Sequence, residues 1–346
     1  MKEKSKPDTS SGLILALETS CDDTSVAVMR QGKLLSHLIS SQVEHQTYGG
    51  VVPEMASRAH QRQLVWLVDK ALQQAAVNRN ALDALAVTRG PGLLGSLLVG
   101  LSFAKGMAMA LDKPLIDVDH LAAHCLAHFI EAPRPPFPFL CLLVSGGHTQ
   151  LLRINGPLQI SMLGRTIDDA AGEAFDKGAK MLGLPYPGGP EIQRHAEKGH
   201  ANAFRFSQAR LEGLHYSFSG LKTSLLYFLR DREKASPGFT QRNLHDICAS
   251  FQEAIVSSLC HKLVEAARES GIRHVALAGG VAANQALRHR LEQLATQHQW
   301  SVYIPRMAYC TDNAAMIAMA AHFKFLEGQF GHQEMVPYSR QAVAVQ

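Results

Sequence analysis

The stretch VDHLAAHCLAH, residues 118–128, sets His120, His124 and His128 at four-residue intervals. On a helix, residues four apart share a face one turn from each other. Two imidazoles so placed can bind one divalent cation. They can equally flank an apolar stripe of Leu121, Ala122, Cys125 and Leu126 that packs into a core. Spacing alone leaves both readings open. His120 and His128 would lie about 12 Å apart along such a helix, too far for one ion, so His128 is read as a packing or supporting residue. A third ligand must come from elsewhere. The best candidate is Asp312 in YCTDNAAM, just after a turn and at the start of the last helix. Helix capping by Thr311 or Asp312 is the competing use. A zincin protease would need H-E-x-x-H, with the glutamate as base. Here Leu121, Ala122 and Ala123 separate the first two histidines, and no base is supplied.

A second group of candidates is glycine-rich. LVSGGHTQ puts Ser145, Gly146 and Gly147 between two strand-like runs. Adjacent glycines let a ligand approach the backbone, and their N–H groups can form an anion-binding nest. An ordinary hairpin turn is the plainer alternative. The turn ETSCDDTS offers Thr19, Ser20, Thr24 and Ser25 with Asp22 and Asp23, and YPGGP, AGGVAAN and RGPGLLGSL add further glycine corners. The last precedes a helix, a second kind of anion site. There is no Walker A motif and no G-x-G-x-x-G after a strand.

These residues need elements to hold them. The chain has 346 residues, 46% hydrophobic and 18% charged, with a net charge of +4. That is a globular composition with ample core material. The mild positive charge permits a polyanionic partner without demanding one. Six scattered cysteines with no C-x-x-C pair point to reduced thiols. The short apolar run GLILALE ends in a charge, and no eighteen-residue apolar run is evident. No signal peptide or membrane span is therefore expected, and a cytoplasmic location is.

Apolar periodicity predicts strands at 13–17, 24–29, 33–40, 82–87 and 115–118, with helices at 53–76 and 93–111 before the histidine helix. The pattern then restarts. FLCLLVSGGHTQLLRI (139–154) echoes LILALETSCDDTSVAVM (13–29) as strand, polar turn, strand. Helices follow at 168–182, 191–198, 220–229 and 244–270, then a buried strand from His274, the strand SVYIP and a helix at 311–327. This predicts a two-lobed α/β fold with duplicated lobes. The N-terminal lobe is expected over 12–132, closed by the helix at 311–328, and the C-terminal lobe over 133–310, with EAPRPPFP as the linker. Residues 1–11 and 331–346 read as flexible tails. A phosphate hairpin on each lobe, facing a central cleft, would hold a nucleotide in the manner of actin-like folds.

The motifs together resemble one family, the tRNA N6-adenosine threonylcarbamoyltransferases, called TsaD or Gcp in bacteria and Kae in archaea and eukaryotes. The resemblance runs from about Ile14 to Gly328. It is carried by ALETSCDDTSVAV, YGGVVPEMASRAH, VTRGPGLLGSLLVG, DHLAAH, LLVSGGHTQL, DDAAGEAFDKGAKMLGLPYPGGP, YSFSGLKTSL, AGGVAANQALR and CTDNAAM. It implies an actin-like (ASKHA, RNase H-like) fold. It also implies a metal-dependent acyltransferase that moves the threonylcarbamoyl group from L-threonylcarbamoyladenylate to N6 of adenosine 37 in tRNAs reading ANN codons, releasing AMP.

Carried over residue by residue, His120, His124 and Asp312 match the metal ligands, with Fe2+ expected and Zn2+ the alternative. Leu143, Val144, Ser145, Gly146 and Gly147 match the adenylate-phosphate loop. Asp176, Gly189 and Asn284 match contacts to an adenine nucleotide, threonylcarbamoyl-AMP or ATP. Gln193 stands where many bacterial members carry an acidic ligand contact. The implied partners are tRNA, a TsaB-like paralogue and a TsaE-like ATPase. Part of the paralogue's surface is sought at 53–72, and tRNA contacts at Arg58, Arg62, Lys222 and Arg306. Glu18 or Asp22 is the candidate general base. Whether the chain forms a homodimer is left open. The alternative function is a metal-dependent glycoprotein endopeptidase.

Overall fold

The computed structural model describes residues 12–42, 48, 50–208 and 211–340. The chain divides into two units. One comprises Met1–Arg134, Pro157–Gln159 and Thr311–Gln346, the other Pro135–Gly156 and Ile160–Cys310.

The first unit opens with β1 (Leu13–Glu18), β2 (Thr24–Arg30) and β3 (Lys33–Ser40). After α1 (Pro53–Gln74) come β4 (Ala84–Gly90), α2 (Leu94–Leu111), β5 (Leu115–Asp119) and α3 (His120–Leu126). The sheet order is β3-β2-β1-β4-β5. β1 runs antiparallel to β2 and parallel to β4, and β5 continues the parallel side. All six residues of β1 are buried, as expected of a strand covered on both faces. Alternation along β1 separates those faces. Leu13, Leu15 and Leu17 join Leu64, Leu67 and Leu101 of α1 and α2 in one cluster. Ile14, Ala16 and Glu18 have the opposite parity, which directs them to the other face. The last helix, α10 (Ala314–Leu326), returns to this unit and contacts β1, β2 and α3.

The second unit repeats the plan. Its strands are β6 (Phe139–Val144), β7 (Thr149–Gly156) and β8 (Gln159–Arg165), then β9 (His274–Ala278) and β10 (Ser301–Tyr303). The order β10-β9-β6-β7-β8 mirrors the first sheet strand for strand. β6 is antiparallel to β7 and parallel to β9. Between β8 and β9 lie α4 (Ala171–Met181), α5 (Gly188–Ala196), α6 (Ser219–Ala235), α7 (Phe239–Arg242) and α8 (Leu244–Ser270). α9 (Gln285–His298) joins β9 to β10. The expected duplicated α/β architecture is present in the two sheets. β8 and α7 were not expected, and α6 extends past the anticipated 229 to Ala235.

Two expectations change. α2 has the length and apolarity to cross a bilayer, with a mean hydropathy of 1.6 over eighteen residues. One side of it, with Leu97, Gly100, Leu101, Ala104 and Ala108, is nevertheless packed into the first unit. Residues 1–11 and 341–346 lie outside the described residues. Residues 331–340 are no loose tail: Met335 is buried, and the backbone is tied to Leu115 and Arg89. All six cysteines are free thiols.

Leu15 is fully buried at the centre of the first sheet. Leu15→Ala should cost about 2–5 kcal/mol in a denaturant melt, and a loss under about 1 kcal/mol would show that β1 is not the packing centre.

Candidate functional site

β5 delivers the chain into α3, and Asp119 is the N-cap of that helix, its Oδ1 accepting from Ala122 N at 2.8 Å. His120 is therefore the first helical residue and His124 lies one turn on. Their rings meet edge to face with centroids 4.7 Å apart. The helix ends at Leu126 and gives way to a 3-10 turn at Ala127–Phe129. His128 thus leaves the i, i+4 register and lies buried, with no hydrogen-bond partner for its Nε2.

Asp312 completes a triad. Its Oδ1 lies 3.3 Å from His120 Nε2 and 3.3 Å from His124 Nε2. The competing capping role falls to its neighbour: Asn313 caps α10 by accepting from Met316 N at 2.9 Å. Nitrogen and oxygen ligands about 2.1 Å from a tetrahedral ion stand about 3.4 Å apart. The spacing and the borderline donor set both fit one divalent cation of the Fe2+ or Zn2+ kind. His120, His124 and Asp312 form the metal-capable cluster among the described residues.

Behind His120 stands Glu18. Its carboxylate receives Ser20 N at 2.5 Å and the Thr88 hydroxyl, and its Oε2 lies 3.2 Å from His120 Nδ1. Such a carboxylate–histidine pair fixes the ring and leaves Nε2 to the metal. Glu18 is fully buried and its acceptors are engaged, which suits it to holding His120. The electrostatics follow. Burial works against charge on His120, but Asp312 and Glu18 overcome it and hold its imidazolium well above the usual range. Burial, helped by the charge on His120, lowers His124 and keeps it neutral. Burial opposes ionisation of Asp312, but the two histidines overcome it and keep the carboxylate ionised. The centre thus calls for positive charge. On the same turn, burial lifts Asp23 to about 6 against a hydrogen bond from Ser41, with Asp22, Asp312 and Glu18 adding to the lift. Its neighbour Asp22 was the base suggested by sequence; Asp23 is the carboxyl the structure distinguishes.

The second unit places the glycine candidates by itself. Leu143 and Val144 end β6 as buried strand residues, and Ser145–Gly147 form the turn. Ser145 N donates to His148 O at 2.8 Å, and His148 N returns to Ser145 Oγ at 3.1 Å. A Cβ on Gly146 or Gly147 would meet nothing within 4 Å. By contrast, a Cβ on Gly172, in the first turn of α4, would collide with Ser145 and Gly146. Asp176 Oδ1 accepts from Gly188 N at 2.7 Å and holds the start of α5, which includes Gly189. Asn284 caps α9, its Oδ1 accepting from Leu287 N at 3.0 Å, and its Nδ2 donates to Gln252 at 2.8 Å. Gln193 has a task that sequence did not suggest: its Oε1 accepts from Gln285 N at 2.9 Å, linking α5 to α9. Lys222 is paired with Asp169, and Arg58 with Glu54. The glycines of RGPGLLGSL serve packing in the first unit, where a Cβ on Gly92 would strike Ser20.

Comparison with known proteins adds an independent line. A model of the family described as "TsaD: tRNA N6-adenosine threonylcarbamoyltransferase" matches residues 33–319. A protein of Porphyromonas gingivalis with the name tRNA N6-adenosine threonylcarbamoyltransferase is 51% identical over 333 residues, covering 95% of this chain and 98% of its own. One of Salinibacter ruber with the same name is 52% identical over 318 residues, covering 91% and 95%. Among solved structures, full-length HypF in its phosphate- and nucleotide-bound form superposes with a TM-score of 0.62 at 15% identity. It covers 91% of this chain, which spans 46% of that protein. At that identity the likeness is one of fold.

Two expectations follow from the geometry. Glu18→Gln should weaken divalent-metal binding about 10- to 100-fold in a titration of metal-free protein, and unchanged affinity would remove Glu18 from the site. In metal-free protein, carboxyl NMR should show Asp23 titrating near pH 6. A bound divalent ion favours the charged form, so loading should move that titration to lower pH. An upward shift or none would separate Asp23 from the centre.

Proposed function

The chain belongs to the tRNA N6-adenosine threonylcarbamoyltransferase family, and from that membership we infer how its residues divide the work of the transfer. The enzyme moves a threonylcarbamoyl group to N6 of adenosine in tRNA. The donor in this reading is L-threonylcarbamoyladenylate, and the acceptor is adenosine 37 of tRNAs reading ANN codons. The adenine amine attacks the carbamoyl carbonyl, a C–N bond forms, the C–O bond to phosphate breaks, AMP leaves and the amine loses a proton. Because the donor is a mixed anhydride, the protein need not furnish a nucleophile. It must bind, orient and neutralise developing charge.

The observation that carries the reading is the convergence of His120, His124 and Asp312 within 4.8 Å, with Glu18 behind His120. These three residues would hold one Fe2+ or Zn2+. Such an ion supplies a Lewis acid for a phosphate or carbonyl oxygen. Glu18 orients His120. Asp23, whose carboxyl burial lifts in the metal-free protein and which a bound ion would return toward its charged form, is the group we assign to take the amine proton. In the second unit, the end of β6 at Leu143 and Val144 presents the backbone of Ser145, Gly146 and Gly147 to the adenylate phosphate. Asp176 and Gly189 form the corner for the ribose. Asn284 stabilises the turn before α9 and borders the same nucleotide. The two units correspond in this reading to lobes over 12–132 and 133–310, with the helix at 311–328 belonging to the first. An endopeptidase would want a base next to His120, where Leu121 is buried instead.

Partners follow from surface chemistry. Val65 and Trp66 of α1 and Leu94, Leu98 and Met109 of α2 are exposed apolar side chains on two helices that contact each other. Exposed apolar side chains on neighbouring helices suit a protein interface. We assign those of α1 and α2 to a TsaB-like paralogue, which extends the expected 53–72 region onto α2. A TsaE-like ATPase and a cytoplasmic location complete the reading.

Reconstitution with the partner proteins, threonine, bicarbonate, ATP and tRNA, followed by nucleoside mass spectrometry, tests it. The wild type should form the modified adenosine. His120→Ala should lose bound metal and at least about 100-fold of product while remaining folded. Modification at the wild-type rate by that variant would refute the metal role.

A further inference from the structure

The C-terminal segment after α10 is laid along the edge strand β5 and ends at the cap of the metal-bearing helix. Gly331 N donates to Leu115 O at 2.8 Å, at the start of β5. Met335 is buried in the first unit's core, and its carbonyl accepts from Lys105 Nζ at 2.6 Å. Arg89 Nε donates to Val336 O at 2.9 Å, while Tyr338 N donates to Arg89 O at 3.2 Å. The Arg89 guanidinium sits 5.8 Å from the centre of the Tyr338 ring. A Cβ on Gly90 would run into the Tyr338 carbonyl and ring, so the strap lies flat on that residue. At the far end of β5 the Tyr338 hydroxyl donates to Asp119 Oδ2 at 2.6 Å.

Asp119 is thereby held from both sides. One oxygen caps α3 through Ala122 N, and the other receives Tyr338. The next residue is His120. The terminal torsion of an aspartate is intrinsically broad. The phenol, bonded to the oxygen that does not cap the helix, narrows it and so supports the first turn of α3. Metal ligands work only within about 0.5 Å of their productive positions, so a small drift of this turn moves Nε2 off the ion.

We propose that Tyr338 is a positioning residue: its hydroxyl, carried in by the C-terminal strap, locks Asp119 and so sets the His120–His124 pair for metal. This rests on the metal reading above. Tyr338 is not one of the metal-capable residues, and its hydroxyl reaches the helix through Asp119.

The test uses the full-length, metal-free protein titrated with Co2+, followed by its visible absorption. Tyr338→Phe keeps the ring under Arg89 and removes only the donor. It should bind Co2+ about three- to tenfold more weakly, less than direct loss of a ligand's own partner, with an altered band shape. Its metal-free melting temperature should stay close to that of the wild type. Asp119→Ser keeps an oxygen for the cap and loses the group that meets the phenol. It should reproduce the Tyr338→Phe loss, and the double variant should be no weaker than either single. Tyr338→Phe with wild-type affinity and spectrum, beside a His120→Ala protein that has lost Co2+, overturns this inference alone. Additive losses in the double variant also overturn it. A His120→Ala protein that binds Co2+ like the wild type overturns the metal reading and this inference with it.

Discussion

Two carboxylates face the two nitrogens of one buried imidazole: Glu18 at Nδ1 and Asp312 at Nε2 of His120. Burying carboxylates away from water is tolerable only when charge and hydrogen bonds compensate. Glu18 receives three hydrogen-bonding groups, from Ser20, Thr88 and His120. Asp312 has both histidines. The sum still favours one positive charge in the middle. Without an ion, a proton on His120 supplies it; an ion must displace that proton, so metal affinity and proton release are linked. His124 is kept neutral, so binding an ion through its Nε2 requires no net loss of a proton from that ring, only its transfer from Nε2, where it meets Asp312, to Nδ1. Much else in the first unit can be understood as bringing these groups together: β1 delivers Glu18, β5 and its cap deliver the histidines, and α10 returns from the far end of the sequence with Asp312 at its threshold.

The duplicated plan lets one hairpin serve two chemistries. In the first unit the turn after β1 begins at Glu18 and runs through Asp22 and Asp23. In the second, the turn after β6 is Ser145, Gly146, Gly147 and His148. The strand pairings on either side are equivalent, antiparallel to the next strand and parallel to the one beyond. What differs is the sign of the electrostatic offer. Carboxylates line the first turn, suited to a cation. The second has no acidic side chain and exposes backbone, suited to an anion. The same topological position thus carries opposite chemistry in the two units, which is what the proposed cation and phosphate sites would need.

Much of this was legible in the sequence because it depends on local periodicity. The i, i+4 histidines, the restart of the strand–turn–strand pattern at Phe139 and the core strands of alternating or continuous apolar residues all declare themselves within a few residues. Contacts made through space do not. Glu18 reads as the polar end of a strand; only the packing of α3 against that face turns it into the support of His120. Thr311 and Asp312 were the candidate caps of α10, and Asn313 takes that role, because capping depends on backbone angles that side-chain identity does not dictate. β8, QISMLGR, is half exposed and carries no clean alternation, so nothing marked it as a strand. The strap at 331–340 is polar and lacks periodicity. It is held by backbone carbonyls of distant strands, which no local pattern reports.

Glycines separate what the fold requires from what a ligand requires. Gly279 has φ +87, and a Cβ there would strike Val144; Gly188 and Gly172 sit equally close to neighbouring chain. Each is explained by the protein's own packing. Gly146 and Gly147 are different. Neither has a positive φ of the kind that excludes other residues, and neither is crowded. In an unoccupied hairpin, residues with side chains would fit, and glycine there gives up about 0.5–1 kcal/mol of backbone entropy. A bare backbone at an exposed turn, with no internal reason for it, is accounted for by something that must come close to the amides. In the proposed reading that partner is the phosphate of an adenylate, whose oxygens accept hydrogen bonds and whose charge disfavours acidic neighbours.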